Sequence, residues 1–125
     1  MWTEHQMTNE EILKVYQGIT ELINKKAVLN IKTSYTLAKN KSVLTPFVQV
    51  IEDERIKIYD KYGTRNEEGN ITVPNNRIPE LEKDADELLA IENKVPIVKI
   101  KIDDLADAEI GMDILENLMP IIIEE

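Results

Sequence analysis

The stretch that decides the fold is KIYDKYGTRNEEGNITVPNNRIPELEKD, residues Lys57–Asp84. Gly63 closes a helical pattern and is expected to take the left-handed conformation that is typical of a helix C-terminus. Residues 66–70 (NEEGN) have turn chemistry, and residues 71–73 form at most a short strand. Pro79 is suited to the first turn of a new helix. The stretch therefore predicts the tip of a helical hairpin, in which two amphipathic helices bury their apolar stripes against each other.

The two arms of this hairpin are predicted over about residues 34–62 and 79–92. Apolar residues recur in both arms with a period near 3.6, which indicates amphipathic helices. Pro46 lies inside the first arm and predicts a kink or a break between Lys41 and Thr45, because proline removes a backbone donor. The stripe residues are Leu37, Leu44, Val48, Ile51, Ile58 and Tyr62 in the first arm, and Leu81, Ala85, Leu88 and Leu89 in the second.

An N-terminal helix is predicted from the capping box TNEE at residues 8–11 to about residues 24–26. Gly18 in its interior favours close packing against another element. Residues 1–7, which precede the helix, are predicted to form a flexible tail. The apolar stripe of this helix consists of Ile12, Val15, Ile19, Leu22 and Ile23.

Alternating apolar and polar residues predict a small antiparallel sheet of residues 27–32 and 97–102. Residues 71–73 and 121–123 are candidates for further strands in it. Within residues 97–102, Val98, Ile100 and Ile102 share one face. Thr33 or Ser34 is predicted to cap the following helix, and a short helix is expected over about residues 110–119. The sequence thus predicts one helix-dominated α+β domain over residues 1–125.

Composition limits the function classes. The chain has 125 residues, an apolar share of 42%, no cysteine and a net charge of −9. No apolar run approaches the roughly 20 residues needed to cross a bilayer, and residues 1–7 do not resemble a secretory signal. We therefore expect a soluble protein that is neither secreted nor membrane-bound.

The charges are distributed unevenly. No acidic residue lies between Glu21 and Glu52, and this segment holds a candidate basic patch: Lys25, Lys26, Lys32, Lys39 and Lys41. Residues 103–125 hold eight acids and no base. The two regions either attract each other within the fold or are separate solvated faces. A long basic track is missing, so direct nucleic-acid binding is not expected.

Enzymatic motifs are nearly absent from the sequence. There is no glycine-rich phosphate loop, nucleophile elbow or H-E-x-x-H motif, and the single histidine, His5, lies in the predicted tail. The acidic segment of residues 103–113 fails the EF-hand register, because Ala106 occupies the first ligand position. No catalytic residue, metal site or cofactor is predicted.

The chain also resembles a family of small proteins of unknown function that are encoded by bacteriophages and prophages. The resemblance covers about residues 8–118. It rests on Ser34-Tyr35 with residues 37–40 (LAKN), on Lys61-Tyr62-Gly63 before residues 68–70 (EGN), and on the alternating strand that runs into Asp104-Leu105. It implies a phage origin, and the family supplies no catalytic residues.

Three functions remain open. The leading expectation is a non-enzymatic phage accessory protein that binds a phage or host protein, in the virion or the host cytoplasm, and that can form homo-oligomers. The alternative is an acidic nucleic-acid mimic that inhibits a host defence or DNA-binding protein. The third is a weak metal-dependent hydrolase. The candidate interface residues are Asp103, Asp104, Asp107, Glu109, Asp113, Ile121, Ile122 and Ile123.

Overall fold

Helix α1 (Asn9–Asn24) begins at the predicted capping box. Thr8 Oγ1 accepts a hydrogen bond from the backbone N–H of Glu11 at 3.1 Å, and the Glu11 carboxylate accepts one from the Thr8 N–H at 2.9 Å. These bonds satisfy two backbone donors that a helix start leaves free. Ile12, Val15, Ile19 and Leu22 of the predicted stripe are buried. Ile23 is 51% exposed, because it lies at the edge of the stripe beside the helix end.

A computed structural model describes residues 3–123 of the chain. Within that range, four α-helices and two antiparallel two-stranded sheets form, so the predicted helix-dominated α+β fold is confirmed. The elements are β1 (Thr3–Thr8), α1, α2 (Ile31–Tyr62), β2 (Thr64–Arg65), β3 (Ile71–Thr72), α3 (Ile78–Leu89), β4 (Glu92–Ile97) and α4 (Met112–Leu118). Short 3₁₀ helices occupy Asn75–Arg77, Ile102–Ala108 and Met119–Ile121.

The start of α2 corrects the prediction of a strand over residues 27–32 and of a cap at Thr33 or Ser34. Asn30 is the N-cap, and its Oδ1 accepts a hydrogen bond from the Thr33 N–H at 2.8 Å. Residues 31 and 32 therefore form the first helical turn instead of a strand end, and residues 27–30 form the loop between α1 and α2. Asparagine is among the preferred N-cap residues, since its side chain replaces a missing helical acceptor.

Helix α2 continues through Pro46, so of the kink or break predicted between Lys41 and Thr45 the break does not occur. Proline at this position leaves the carbonyl of Ser42 without its helical donor. Both Ser42 and Pro46 are exposed, so water can solvate that carbonyl. The Thr45 hydroxyl also donates to the Lys41 carbonyl at 2.8 Å. The cost of proline is lowest on such a solvent-facing side.

The predicted helical hairpin of α2 and α3 forms, although the details of its tip differ. Gly63 has an extended backbone (φ −116°) and not the left-handed one expected; a Cβ there would lie 2.5 Å from Ile71 Cγ2. Strands β2 and β3 form a small ribbon whose turn contains Gly69 at φ +85°. Helix α3 then packs on α2. It buries only Leu81, so most of the α2 stripe is covered by α1 and by the rest of the core.

The sheet pairs β1 with β4 and not residues 27–32 with residues 97–102. Its register runs from Thr3 opposite Ile97 to Thr8 opposite Glu92. Residues 3–7 are thus a strand and not part of a flexible tail; residues 1 and 2 lie outside the described range. Strand β4 ends at Ile97, and its buried residues are Val95 and Ile97, both 0% exposed, whereas Ile102 of the predicted strand is 52% exposed.

The last residues of the described range close the core. The Ile100 N–H donates to the Ile121 carbonyl, and the Ile123 N–H donates to the Ile100 carbonyl, each at 2.8 Å. These bonds form one parallel bridge between Ile100 and Ile122, which is all that remains of the predicted strand over residues 121–123. Helix α4 lies against α1, where a Cβ on Gly18 would be 2.9 Å from Leu118 Cδ2. Gly18 therefore permits the close packing that the sequence predicts.

Candidate functional site

An apolar groove lies between the middle of α2 and the turn that joins α3 to β4. Its volume is about 440 Å³. Nine residues line it: Asn9, Pro46, Phe47, Val50, Ile51, Glu54, Leu88, Ile91 and Asn93. We refer to this surface as the α2 groove.

Helix α2 supplies one wall of the groove through the period of its sequence. Residues 46–47, 50–51 and 54 are three to four positions apart and share one side of the helix. Ile51 belongs to the core and is 2% exposed, whereas Val50, one position earlier, is 62% exposed. Ile91, which follows α3, is 52% exposed on the opposite wall. The groove is thus a branch of the hydrophobic core that reaches the surface.

The end of the groove near α1 is held by a network of amide hydrogen bonds. The Asn9 side chain donates to the Leu88 carbonyl at 2.7 Å, and its backbone N–H donates to the Ile91 carbonyl at 2.9 Å. The Asn93 side chain donates to Asn9 Oδ1 at 2.8 Å. Asn9 is 6% exposed, so these bonds are largely shielded from water. They fix the start of α1 against the end of α3 and preform the groove.

Glu54 is the charged residue of the groove lining. Its carboxylate accepts a hydrogen bond from Lys57 Nζ at 2.9 Å on the solvent side. This hydrogen bond, followed by the charge of Glu54, raises the pKa of Lys57 above its ordinary value. No basic residue lines the groove. The charge of Glu54 is therefore paired with a base of its own helix, Lys57, on the solvent side of the groove.

The acidic candidates lie on the 3₁₀ helix Ile102–Ala108 and around the start of α4. Asp103, Asp107, Glu109 and Asp113 are exposed, and Asp104 is half-buried. The Asp104 carboxylate accepts a hydrogen bond from the Lys101 N–H at 3.3 Å, so it stabilises the start of its own 3₁₀ helix. None of the five forms an ion pair within 4.0 Å in the part of the chain that the structure describes.

The isoleucine candidates are buried within the chain itself. Ile121 is 0% exposed and Ile122 is 5% exposed, and both belong to the hydrophobic core. Ile123 is half-buried. Their assignment to an accessible interface is therefore wrong for Ile121 and Ile122, because their side chains already cover the chain's own core.

The lysines of the predicted basic patch differ in their contacts. Lys25 Nζ donates to the Glu109 carbonyl at 2.6 Å, and this hydrogen bond joins the basic region to the acidic one. Lys41 Nζ lies 5.6 Å from the centre of the Tyr16 ring, and Lys32 lines a cavity at the start of α2. Lys26 and Lys39 are exposed. Lys25, Lys41 and Lys32 thus each lie beside a different part of the fold.

Several residues of the α2 groove have only a weak signal in the sequence, or none. Phe47 and Val50 form a second apolar line on α2, beside the predicted stripe, and this line was the available signal. No local sequence pattern indicates Ile91 or Asn93, because their role depends on contacts with α1 and α2.

Within residues 3–123, no three carboxylates or imidazoles lie close enough together to hold a metal ion. In the same range, no helix combines the length and apolar content that crossing a bilayer requires.

Comparison with known proteins adds no relative to this description. No protein-family model, curated protein or solved structure matches the chain. The groove is therefore interpreted from its own geometry.

Proposed function

We propose that this protein is a non-enzymatic binding protein and that the α2 groove is where it binds another protein. The observation that supports this is a preformed apolar groove with exposed aliphatic walls. Exposed apolar patches with polar edges are typical of protein interaction sites. Covering Val50 and Ile91 with a partner's side chains would remove their apolar surface from water, at about 25 cal/mol per Å².

The partner segment that fits this groove carries apolar side chains flanked by Lys or Arg. The apolar walls require aliphatic or aromatic anchors. Glu54, the charged residue of the lining, is already paired with Lys57, so the preference for a basic partner rests on the net charge of −9. Opposite charge on the partner would speed its approach and set its orientation.

The resemblance to bacteriophage-encoded proteins supports a phage origin as part of this proposal. In one role the protein is a component of the virion or of its assembly, and the partner is a phage protein. In the other it is an adaptor in the host cytoplasm, and the partner is a host protein. Both roles use the same groove, and they differ in the source of the partner segment.

The test is selection from an mRNA-displayed library of random peptides of about a dozen residues. The protein is immobilised and enriched peptides are compared on three variants. Val50→Glu and Ile91→Glu each place a charge on an exposed groove wall. Val28→Glu is the matched control, because Val28 is 69% exposed in the loop before α2 and does not line the groove.

We expect the enriched peptides to share apolar anchors with adjacent basic residues. They should bind Val28→Glu like the original protein and lose at least about tenfold in affinity on either groove variant, which corresponds to about 1.4 kcal/mol. The proposal is rejected if no peptide is enriched. It is also rejected if the enriched peptides bind the groove variants as tightly as the original protein.

A second candidate is the acidic nucleic-acid mimic, which is favoured by the exposure of Asp103, Asp107, Glu109 and Asp113 without ion pairs among the described residues. A mimic would compete with DNA for a DNA-binding protein. Binding to such a protein should therefore fall with added duplex DNA and be lost when these four residues become Asn or Gln. Binding that survives both treatments would contradict the mimic hypothesis.

A further inference from the structure

We propose that a second cavity, at the N-terminus of α2, binds the phosphate group of a small phosphorylated ligand. Its volume is about 470 Å³, which lies within the range of small-molecule sites. It lies between the first turn of α2 and residues 98–101. It shares no residue with the α2 groove, so this inference does not depend on the proposed function.

The charge of the cavity is opposite to that of the whole chain. Lys32, Lys99 and Lys101 line it together with one acid, Asp104. All three lysines are exposed, and none forms an ion pair within 4.0 Å among the described residues. The ammonium groups are therefore available to an anion, on a protein whose net charge is −9.

The helix start adds backbone donors to these charges. Asn30 Oδ1 accepts the Thr33 N–H, which leaves the N–H groups of Ile31 and Lys32 without an intrahelical acceptor. The aligned peptide dipoles of a long helix place partial positive charge at this end. Free N–H groups and partial positive charge together make a helix N-terminus suited to a phosphate.

Thr33 provides an independent indication of a ligand. It lines the cavity but is only 4% exposed, and within residues 3–123 its hydrogen bond at the cap uses the backbone N–H, not the hydroxyl. The hydroxyl has no hydrogen-bond partner among the described residues and is not fully enclosed, so it keeps some accessible surface beside the cavity that Thr33 lines. Polar groups of nearly buried residues normally bond to protein, water or a ligand. A phosphate oxygen in the cavity would provide the acceptor.

Asp104 narrows the class of ligand. Its carboxylate already accepts a hydrogen bond from the Lys101 N–H, and it faces the same cavity. A bare phosphate would be repelled by it, whereas a ligand with a hydroxyl or amino group beside the phosphate would donate to it. The cavity therefore fits a phosphorylated small molecule that carries such a donor better than it fits inorganic phosphate.

The test is a titration followed by amide NMR at constant ionic strength, with inorganic phosphate, pyrophosphate and adenosine monophosphate as separate probes. We expect the amide signals of Ile31 and Lys32 to move in a saturable way, with adenosine monophosphate binding more tightly than inorganic phosphate. Thr33→Val, which removes the hydroxyl and keeps the shape, should weaken binding about tenfold.

Charge controls distinguish a site from general attraction. The variant Lys32→Gln/Lys99→Gln/Lys101→Gln should lose saturable binding. The matched variant Lys39→Gln/Lys83→Gln/Lys94→Gln removes the same charge from exposed lysines outside the cavity and should keep it. If the first variant does not fold, Lys99→Gln alone is used, with about tenfold weaker binding expected. Equal losses in both sets, or no saturable shift at residues 31 and 32 with any probe, would overturn the proposal.

Discussion

At the scale of single residues, Asn40 joins the two halves of the chain. It is 0% exposed and lies on the apolar side of α2. Its side-chain amide donates to the Val98 carbonyl at 2.9 Å and accepts from the Val98 N–H at 3.0 Å. The side chain thus takes the place of a neighbouring strand for the backbone that follows β4. The spacing of Leu37 and Leu44 places Asn40 on the buried face, but its partner, 58 residues away, cannot be read from the sequence.

The first prediction concerns this amide pair. Asn40→Leu keeps the approximate size of the side chain and leaves both backbone groups of Val98 without a partner, so the free energy of unfolding should fall by about 1–3 kcal/mol. Urea denaturation measures the loss, with the exposed Lys39→Leu as the control. The Val98 amide should also exchange its hydrogen faster than in the original protein. An unchanged midpoint together with unchanged exchange would show that the pair does not stabilise the fold.

The second prediction concerns Lys26, which has a left-handed backbone with φ +54°. Its N–H donates to the Ile23 carbonyl, and the Ala27 N–H donates to the Leu22 carbonyl, so Lys26 occupies the position where helix ends usually have glycine. Lys26→Gly should stabilise the protein by about 1 kcal/mol, because glycine adopts this conformation without a Cβ clash. Thermal denaturation measures the effect.

The control for Lys26 is Asn24→Gly, two positions earlier. Asn24 is the last residue of α1 and has a helical backbone, so glycine there should lower the melting temperature. If both glycines lower it by similar amounts, the left-handed residue is not strained and the explanation fails.

At the scale of elements, the hairpin is held at its tip by Tyr62 and Asp84. The Tyr62 hydroxyl donates to the Asp84 carboxylate at 2.6 Å, and Lys61 Nζ lies 3.2 Å from the same oxygen. The Tyr62 hydrogen bond and, after it, the Lys61 ammonium lower the pKa of Asp84 below its ordinary value of 3.8. The apolar stripes predicted the hairpin. They did not predict the polar contacts at its tip. These contacts help to hold α3, of which Leu81 is the one buried residue in the described structure.

The third prediction follows from the lowered pKa. A carboxylate whose pKa is lower in the folded state stabilises the fold above its ordinary pKa, and this stabilisation is lost as the pH falls through the folded-state value. Asp84→Asn should therefore lower the melting temperature near neutral pH, and the difference should shrink as the pH falls below 3.8. Asp86→Asn, on the same helix and exposed, is the control. A difference that stays constant across this pH range would contradict the assignment.

The same scale shows which elements the sequence could predict. The capping box of α1 and the hairpin arms depend on neighbouring residues, and these predictions are confirmed. The pairing of β4 with β1 joins residues about 90 positions apart, so no local pattern indicates that residues 3–7 form a strand, in which Met7 is 2% exposed. The alternation of Leu29 and Ile31 is typical of a strand and predicts too late a start for α2, whereas the signal that matters is Asn30, whose side chain caps the helix.

At the scale of the whole molecule, α2 is the element on which both proposed sites are built. The phosphate cavity lies at its N-terminus, the α2 groove at its middle and the Tyr62–Asp84 contact at its C-terminus. The net charge and the acidic segment, which the sequence made conspicuous, do not locate either site. Both sites depend on three-dimensional contacts between α2 and segments more than 30 residues away. Their separation is fixed only if α2 is a continuous helix.

The central claim is therefore that α2 runs unbroken through Pro46. The chain has no cysteine, so Tyr35→Cys/Tyr59→Cys introduces two unique sites for spin labels. Both positions are exposed, at 65% and 41%. They are 24 positions apart in the helix, which corresponds to about 36 Å at 1.5 Å per residue. Double electron–electron resonance should give one narrow distance distribution near this value; a broad distribution, or one centred below about 30 Å, would contradict the continuous helix.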